Sequence, residues 1–273
     1  MTVVTRMRKL KNRLVKFTLL YVSFLLYCLD IKRTKRNSGK TIILVFHHLD
    51  EPKRLESLLD LAGRNFNLIS FGDWLNKKIS NDQVNVILSF DDGYESWSNA
   101  LRILRNFRVK GCLFFICSEF IDNKYPEFCQ KIGTWAEPSI NTSHICSIVN
   151  DHYIGSHTDN HTSADQFDFA ELDQLCYKDI KLIKEYDAGA PLMMALVKGI
   201  FPKSGRPNES CFDYIFSCES GYIEDNPNYH QILPRTNVGL RSTFLMMPVI
   251  AGHFNTVLTA YLKISTMIKS INE

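Results

Sequence analysis

Short, continuous apolar runs alternate along the chain with longer stretches in which apolar residues recur at helical spacing. The runs at 41–46, 84–90 and 111–117 are rich in β-branched and aromatic residues, which is typical of strands buried on both faces of a parallel sheet. Apolar residues in 94–107 and 164–186 follow a helical period and predict helices. This order predicts an α/β fold built on a parallel sheet.

Weaker patterns predict the remaining elements. A helix is predicted over 52–61, with a proline in its first turn. A strand is predicted over 192–201, and a further helix over 210–218. Residues 122–150 show no clear period, so we expect an inserted loop region there, near the mouth of any site.

Two adjacent carboxylates, Asp91 and Asp92, stand where the run at 84–90 ends, and Gly93 follows them. Parallel-barrel enzymes carry their catalytic groups at this end of their strands. Adjacent carboxylates repel each other unless a cation or a shared proton lies between them, and a metal ion would supply the cation. The alternative is that one of the two only caps the following helix.

His157 and His161 form a second polar constellation, and they also follow a short strand-like segment, 152–155. Histidines four residues apart can converge on one ion. Two histidines and one carboxylate make a three-ligand site with open positions, as catalytic metal sites require. The alternative is a pair of surface histidines in a polar loop. The shared context at the end of a strand favours the metal site.

Together the two segments resemble a known family. Residues 89–93 (Ser-Phe-Asp-Asp-Gly) and 157–161 (His-Thr-Asp-Asn-His) are similar, in order and separation, to the first two motifs of the polysaccharide deacetylases (carbohydrate esterase family 4, the NodB homology domain). The resemblance spans roughly residues 40–240 and implies the distorted (β/α) barrel of that family. It also implies that Asp91 is the general base, and that Asp92, His157 and His161 hold one divalent metal ion.

The same resemblance assigns further residues, each beside a plainer alternative. His47 follows the first strand and either faces the site or bonds to backbone. A Pro-x-x-Gly-Arg-Pro-Asn segment is similar to a third family motif but has one extra residue, so the backbone N–H that holds an oxyanion falls on Lys203 or Ser204. Arg235 either orients the catalytic carboxylate or lies at the surface. His253 is the candidate general acid.

The activity that this resemblance implies is metal-dependent removal of N-acetyl groups from an amino sugar, in a glycan or a lipid-linked saccharide. Zn²⁺ is the first choice of metal, with Co²⁺, Ni²⁺ and Mn²⁺ as alternatives, because affinity order and availability both matter. Two other functions stay open. One is hydrolysis of a different amide on the same fold, such as a formyl group on a lipid-linked sugar. The other is glycan or lipid binding without catalysis.

The N-terminal region differs from the rest of the chain. An apolar run of 13 residues at 17–29 has basic residues on both sides, and it is short for a membrane span, which needs about 20 residues. We expect residues 1–37 to associate with a membrane surface through 8–31, at the cytoplasmic face, and 38–273 to form the catalytic domain. The alternative is a helix that packs on the barrel.

Charge and cysteine content exclude or favour broader classes. The net charge is +3, and much of the basic excess precedes residue 41, so charge gives no reason to expect a nucleic-acid partner. The eight cysteines show no Cys-x-x-Cys zinc pattern. So many unpatterned cysteines favour a reducing compartment.

Overall fold

The computed structural model describes residues 18–19, 21–26, 37–49, 51–122, 138–224, 231–237, 243–252 and 257. Among these residues the strands are β1 (Thr41–Phe46), β2 (Asn67–Leu68), β3 (Asn85–Asp91), β4 (Leu113–Ile116), β5 (Tyr153–Ser156), β6 (Met193–Ala195), β7 (Tyr214–Phe216), β8 (Tyr222–Ile223), β9 (Gln231–Leu233) and β10 (Thr236–Asn237). The α-helices are α1 (Pro52–Asn65), α2 (Phe71–Leu75), α3 (Trp97–Asn106), α4 (Thr142–Asp151), α5 (Leu172–Leu175), α6 (Tyr177–Tyr186) and α7 (Thr243–Ile250).

All ten strands belong to one sheet, in the order β10-β1-β3-β4-β5-β6-β7-β9. Every pair along this path is parallel. β2 pairs with β3, and the short β8 runs antiparallel to β1. The predicted α/β barrel is therefore confirmed.

One stretch of chain brings the two edges of the sheet together. Residues 231–233 pair with β7, and residues 236–237 pair with β1. The two intervening residues, Pro234 and Arg235, lie at this seam, where the chain changes its pairing partner. The sheet is thereby nearly closed into a barrel, and a charged residue stands at the point of closure.

Side-chain alternation along the strands divides the core into an interior and an outer layer. Ile43 and Ile87 belong to the interior cluster, whereas Val86, Leu88 and Phe90 pack outside, against the helices. On β3 the same alternation directs Ser89 and Asp91 to the interior face. The first of the two adjacent carboxylates therefore points into the barrel.

Helix α2 contributes two aromatic side chains to the barrel interior. Phe71 and Trp74 are fully buried there and contact Tyr214. Ser70 and Asp73 form a capping box that fixes the start of this short helix. These aromatic side chains and the strand residues that face them form a packed core inside the barrel.

Four sequence-based elements differ from the structure. The helix predicted at 164–186 begins only at Leu172, after two 3₁₀ turns, and it is divided into α5 and α6. Helix α4 lies within 122–150, where no element was predicted; its capping box joins Asn141 to His144, which is not a common capping pair. The predicted helix at 210–218 is wrong, because β7 lies there, buried between β6 and β9. The predicted strand at 192–201 ends at Ala195, and a 3₁₀ turn follows it.

Six cysteines lie in the described residues, and all six are free thiols. Among the helices described, none combines the length and apolarity that crossing a bilayer requires. The domain boundary at 37/38 stays a prediction.

Candidate active site

The candidate site forms where parallel strands end at one edge of the barrel. His47 follows β1, Asp91 ends β3 and is followed by Asp92, and His157 follows β5. Since β1 and β3 are adjacent, and β4 alone separates β3 from β5, these side chains meet at one edge of the sheet. The two constellations read from the sequence are thus brought together.

Asp91 is held by Arg235 in a bidentate ion pair. Nη1 of the arginine lies 2.6 Å from Oδ1 of Asp91, and Nη2 lies 2.8 Å from Oδ2. Both side chains are almost completely buried. Two parallel charge-assisted hydrogen bonds fix the plane and the orientation of the carboxylate.

The Arg235 guanidinium makes further contacts with backbone, hydroxyl and aromatic groups. Its Nε donates to the carbonyl oxygen of Ser217, and Nη1 also lies 3.3 Å from Oγ of Ser89. The rings of Phe115 and Phe216 lie 4.9 and 5.8 Å from its central carbon, within cation–π range. Arg235 is therefore a rigid internal support rather than a surface residue.

The ion pair determines the protonation state of Asp91. Burial by itself would raise the pKa of this carboxyl group, but the charge of Arg235, followed by that of His157, outweighs burial and holds the pKa below its usual value. Asp91 is therefore ionised at neutral pH and able to accept a proton.

Asp92, His157 and His161 form a compact group beside this pair. Oδ1 of Asp92 lies 3.3 Å from Nε2 of His157 and 3.2 Å from Nε2 of His161. One ligand atom from each residue can be chosen so that all three lie within 4.8 Å of one another. Ligands about 2.1 Å from a tetrahedral Zn²⁺ would be about 3.4 Å apart, so the two measured spacings fit such an ion.

The hydrogen bonding of these groups also fits a cation. Nδ1 of His157 lies 2.8 Å from the carbonyl oxygen of Ala195, and a carbonyl only accepts, so Nδ1 carries the proton. In the neutral ring, Nε2 then directs a lone pair at Asp92. Oδ1 of Asp92 is buried and has no hydrogen-bond donor among the described residues. A metal ion would satisfy both lone pairs.

Charge and burial act differently on the two histidines. Burial lowers the pKa of His157, but the close contact with Asp92 and the charges of Asp92 and Asp91 outweigh burial and leave this pKa raised. At His161 burial prevails, and the pKa is lowered. The pKa of Asp92 is depressed because its two histidine partners outweigh the opposing effect of burial. Asp92 is therefore available as an anionic ligand.

The backbone at the site is strained. Asp92, Thr158 and His161 have φ values of 84°, 64° and 59°, in the left-handed region that non-glycine residues avoid. Each such residue costs on the order of 1 kcal/mol or more, and strain of this kind concentrates at functional sites. Gly93, at φ 74°, continues the turn away from β3 without that cost.

The other predicted residues have different positions. The charge of His47 lies close enough to lower the pKa of both Asp91 and Asp92, so this residue borders the site. The backbone N–H of Lys203 donates to the carbonyl oxygen of Phe167, and its side chain donates to a nearby loop. That N–H is already paired, which argues against its proposed role with an oxyanion. Ser204 stays a prediction.

One predicted residue cannot be placed. His253, the candidate general acid, lies outside the described residues.

Two residues near the site were missed by the sequence analysis. The side chain of Cys218 lies close enough to Arg235 to contribute to the raised pKa of that arginine, and its Cβ lies against Gly199. Lys198 stands in the turn after β6, and its charge contributes to the lowered pKa of His161. A cysteine or lysine in a loop carries no sequence signal of this kind, because its proximity depends on strand order.

Comparison with known proteins places this geometry in a family context. Residues 78–203 match the family described as polysaccharide deacetylase. No curated protein sequence matches the chain.

Solved structures share the fold at low sequence identity. A polysaccharide deacetylase from Bacillus cereus has a TM-score of 0.60 and 15% identity, covering 78% of this chain and 69% of its own. IcaB from Ammonifex degensii has a TM-score of 0.60 and 15% identity, covering 78% and 98%. The Streptococcus pyogenes deacetylase PplD, in complex with acetate, has a TM-score of 0.59 and 13% identity, covering 78% and 99%.

The motifs, the nearly closed parallel barrel and the match over 78–203 agree, and together they make this chain similar to the polysaccharide deacetylases.

Proposed function

We propose that this protein is a metal-dependent hydrolase that removes N-acetyl groups from an amino sugar in a glycan or lipid-linked saccharide. The observation that carries this proposal is the juxtaposition of two units. One is the group Asp92, His157 and His161, whose spacing fits a divalent ion. The other is Asp91, held ionised beside that group by Arg235.

The residues of the chain have separate tasks in this reaction. A divalent cation held by Asp92, His157 and His161 would supply Lewis acidity toward a water molecule and toward the acetamide carbonyl. Asp91 accepts the proton of the attacking water, because it is ionised and its orientation is fixed. Arg235 keeps that carboxylate in place and compensates its charge inside the barrel.

The leaving amine needs a proton, which His253 is proposed to supply. An acetamide nitrogen is a poor leaving group unless it is protonated as the bond breaks, so a general acid is required. We assign no oxyanion donor to the Lys203 N–H, because that group is paired with Phe167.

Two observations support the class of substrate. The family matched by residues 78–203 is named for polysaccharide deacetylation. The S. pyogenes deacetylase with the same fold was solved with acetate, which is the product expected from hydrolysis of an N-acetyl group.

The test measures acetate release and metal content on the same preparations. The full chain, loaded with Zn²⁺ or Co²⁺, is incubated with N-acetylglucosamine oligosaccharides, and N-formylated and O-acetylated analogues are run in parallel. Asp91→Asn should keep the metal and lose about 10²- to 10⁴-fold in turnover. His157→Ala should lose both metal and turnover.

Three results would contradict the proposal. Full turnover in Asp91→Asn would remove Asp91 from the role of base. Unchanged metal content in His157→Ala would reject the ligand assignment. Release of formate without acetate would change the substrate from an acetamide to another amide.

The proposal includes the N-terminal segment. Residues 1–37 would associate with the cytoplasmic face of a membrane through 8–31, ahead of the catalytic domain at 38–273. Support comes from the basic residues on both sides of the apolar run and from the exposed side chains of Tyr21, Val22 and Leu25. Exposed apolar side chains between two basic segments suit the interface of a membrane with anionic headgroups.

A further inference from the structure

The loop that carries both histidines also caps a helix. Asp159, midway between His157 and His161, accepts hydrogen bonds from the backbone N–H groups of Lys178 and Asp179, at 3.0 and 2.9 Å. These N–H groups belong to the first turn of α6, where helices leave donors unpaired. The residue at the N-cap position of α6, Cys176, makes no side-chain cap. The loop therefore supplies the missing cap.

The same helix turn reaches back to the strand that bears the loop. Oδ2 of Asp179 lies 2.5 Å from Oγ of Ser156, the last residue of β5. That hydroxyl also accepts the backbone N–H of Thr158, at 3.1 Å, inside the loop. Oδ1 of Asp179 accepts the backbone N–H of Ser118, just after β4. One carboxylate thus connects the ends of two neighbouring strands to the loop.

The contacts run in both directions, so loop and helix fix each other. Asp159 holds the start of α6, and α6 presents Asp179 to the base of the loop. The loop contains two residues in left-handed conformation, Thr158 and His161. A strained backbone persists only where its surroundings determine it, and these contacts supply that constraint.

Asp179 also destabilises the fold by being buried where it is. Its side chain is completely buried, and a buried ionisable group is costly to keep. It lies in α6 rather than at a strand end that borders the candidate site, and its side chain bonds to the backbone of Ser118 and the hydroxyl of Ser156. A group that lies one layer behind a metal site and orients its ligands fits this position.

We propose that Asp159 and Asp179 are positioning residues, and that their reciprocal contacts pre-orient His157 and His161 for a divalent metal ion. This inference rests on the proposed function, because it requires the metal site. It assigns a task to the third residue of the His-Thr-Asp-Asn-His segment and to a helix outside the site.

The expected effect is a loss of metal affinity without loss of the fold. Residues that orient ligands from behind typically change metal affinity by about 10- to 100-fold. Asp179→Asn keeps the size of the side chain but replaces one acceptor by a donor, and Asp159→Asn does the same at the helix cap. Each variant should bind Zn²⁺ about 10- to 100-fold more weakly than the wild type.

A matched control lies beside Asp179. The Lys178 side chain forms an exposed ion pair with Glu119, at 2.6 Å. Lys178→Met removes that pair in the same helix turn and leaves the backbone N–H that Asp159 accepts. This variant should bind Zn²⁺ as the wild type does.

The experiment uses the full chain and measures three quantities. Zn²⁺ affinity is determined by competition with a chromophoric chelator. The visible spectrum of the Co²⁺ form reports ligand geometry, which a purely structural role would not alter. Thermal unfolding without metal shows whether each variant is folded. If the two aspartates act as one unit, the double variant should lose less affinity than the product of the two single losses.

The outcomes separate this inference from the proposed function. Weaker Zn²⁺ binding and an altered Co²⁺ spectrum, in variants that unfold cooperatively, support the inference. Wild-type affinity and spectrum in both variants would overturn it and leave the metal site intact. Failure of the wild type itself to bind either ion would overturn the metal site and the inference together.

Discussion

Replacing Arg235 by methionine should destabilise the protein severely, because the buried carboxylate of Asp91 would lose its arginine partner. Asp91 and Arg235 are 1% and 0% exposed. Methionine matches the length of arginine but offers no donor. The carboxylate would then keep its burial and lose both hydrogen bonds and its countercharge.

The magnitude follows from the burial of the pair. Breaking a buried ion pair on one side costs about 3–5 kcal/mol in free energy of unfolding. A domain of this kind is stable by about 5–15 kcal/mol, so the change is a large fraction of the total. Each kcal/mol of lost stability lowers the unfolding midpoint temperature by about 2–4 °C, so this temperature should fall by about 6–20 °C.

Urea unfolding followed by circular dichroism measures this change. Arg64→Met is the matched control, since Arg64 and Asp60 form an ion pair that is 72% and 55% exposed; removing it should cost about 0–1 kcal/mol. Adding Asp91→Asn to Arg235→Met removes the stranded charge and should restore part of the stability. The pair stabilises the fold above the usual carboxyl pKa, because the pKa of folded Asp91 is lowered, so its contribution should fall as pH falls.

Two outcomes would refute this reasoning. A loss in Arg235→Met no larger than in Arg64→Met would mean that the pair behaves as if it were exposed. A double variant as unstable as the sum of the two single variants would mean that the carboxylate and the guanidinium are not coupled.

Three further predictions use other features. Burial raises the pKa of folded Asp179 to about 7, so between about pH 4 and pH 7 its contribution to stability should fall as pH rises. The free energy of unfolding of Asp179→Asn, measured in urea, should therefore depend less on pH than that of the wild type. The same pH dependence in both proteins would reject this prediction. A Cβ at Gly155 would lie 2.6 Å from the Phe115 ring and 2.9 Å from a backbone oxygen, so Gly155→Ala should lower the free energy of unfolding by about 1–3 kcal/mol. A Cβ at Gly63, within a helix, would have nothing within 4 Å, so Gly63→Ala should raise the free energy of unfolding by about 0.5–1 kcal/mol. Equal effects of the two substitutions would contradict the steric argument. Deletion of residues 1–36 should release the protein from membranes into the supernatant on fractionation, and unchanged sedimentation would reject the anchor.

The sequence predicted the parts of the fold that depend on local pattern. The long buried runs at β1 and β3 were predicted correctly because continuous apolar residues of strand length leave few alternatives. The two polar constellations fell at strand ends, and parallel strands end at one edge. The approach of Asp92 to His157 and His161 could therefore be anticipated before any distance was known.

Other elements depend on tertiary burial and could not be predicted from local pattern. β7 has only three residues, Tyr214–Phe216, and its flanks suit a helix equally well. Its strand conformation is determined by pairing with β6 on one side and β9 on the other. Helix α4 was missed because its cap is an unusual Asn–His box.

The supports of the site were partly hidden for the same reason. The ion pair of Arg235 with Asp91 was an open alternative, since an arginine after a short strand is equally compatible with the surface. Asp179 gave no signal at all within a helical, charge-rich segment. Its importance arises from the spatial neighbours Ser118 and Ser156, which lie far from it along the chain.

The seam of the barrel sets the order in which the protein can be completed during synthesis. Asp91 and Arg235 are 144 residues apart, and the arginine lies in the stretch that joins the two sheet edges. A nascent chain that has emerged only as far as β7 lacks the arginine that pairs with this carboxylate, and it lacks the strands β9 and β10 at its two open edges. Burial of the carboxylate and closure of the sheet therefore await the same late segment. An incompletely translated chain would keep unpaired strand edges, which chaperones and proteases recognise.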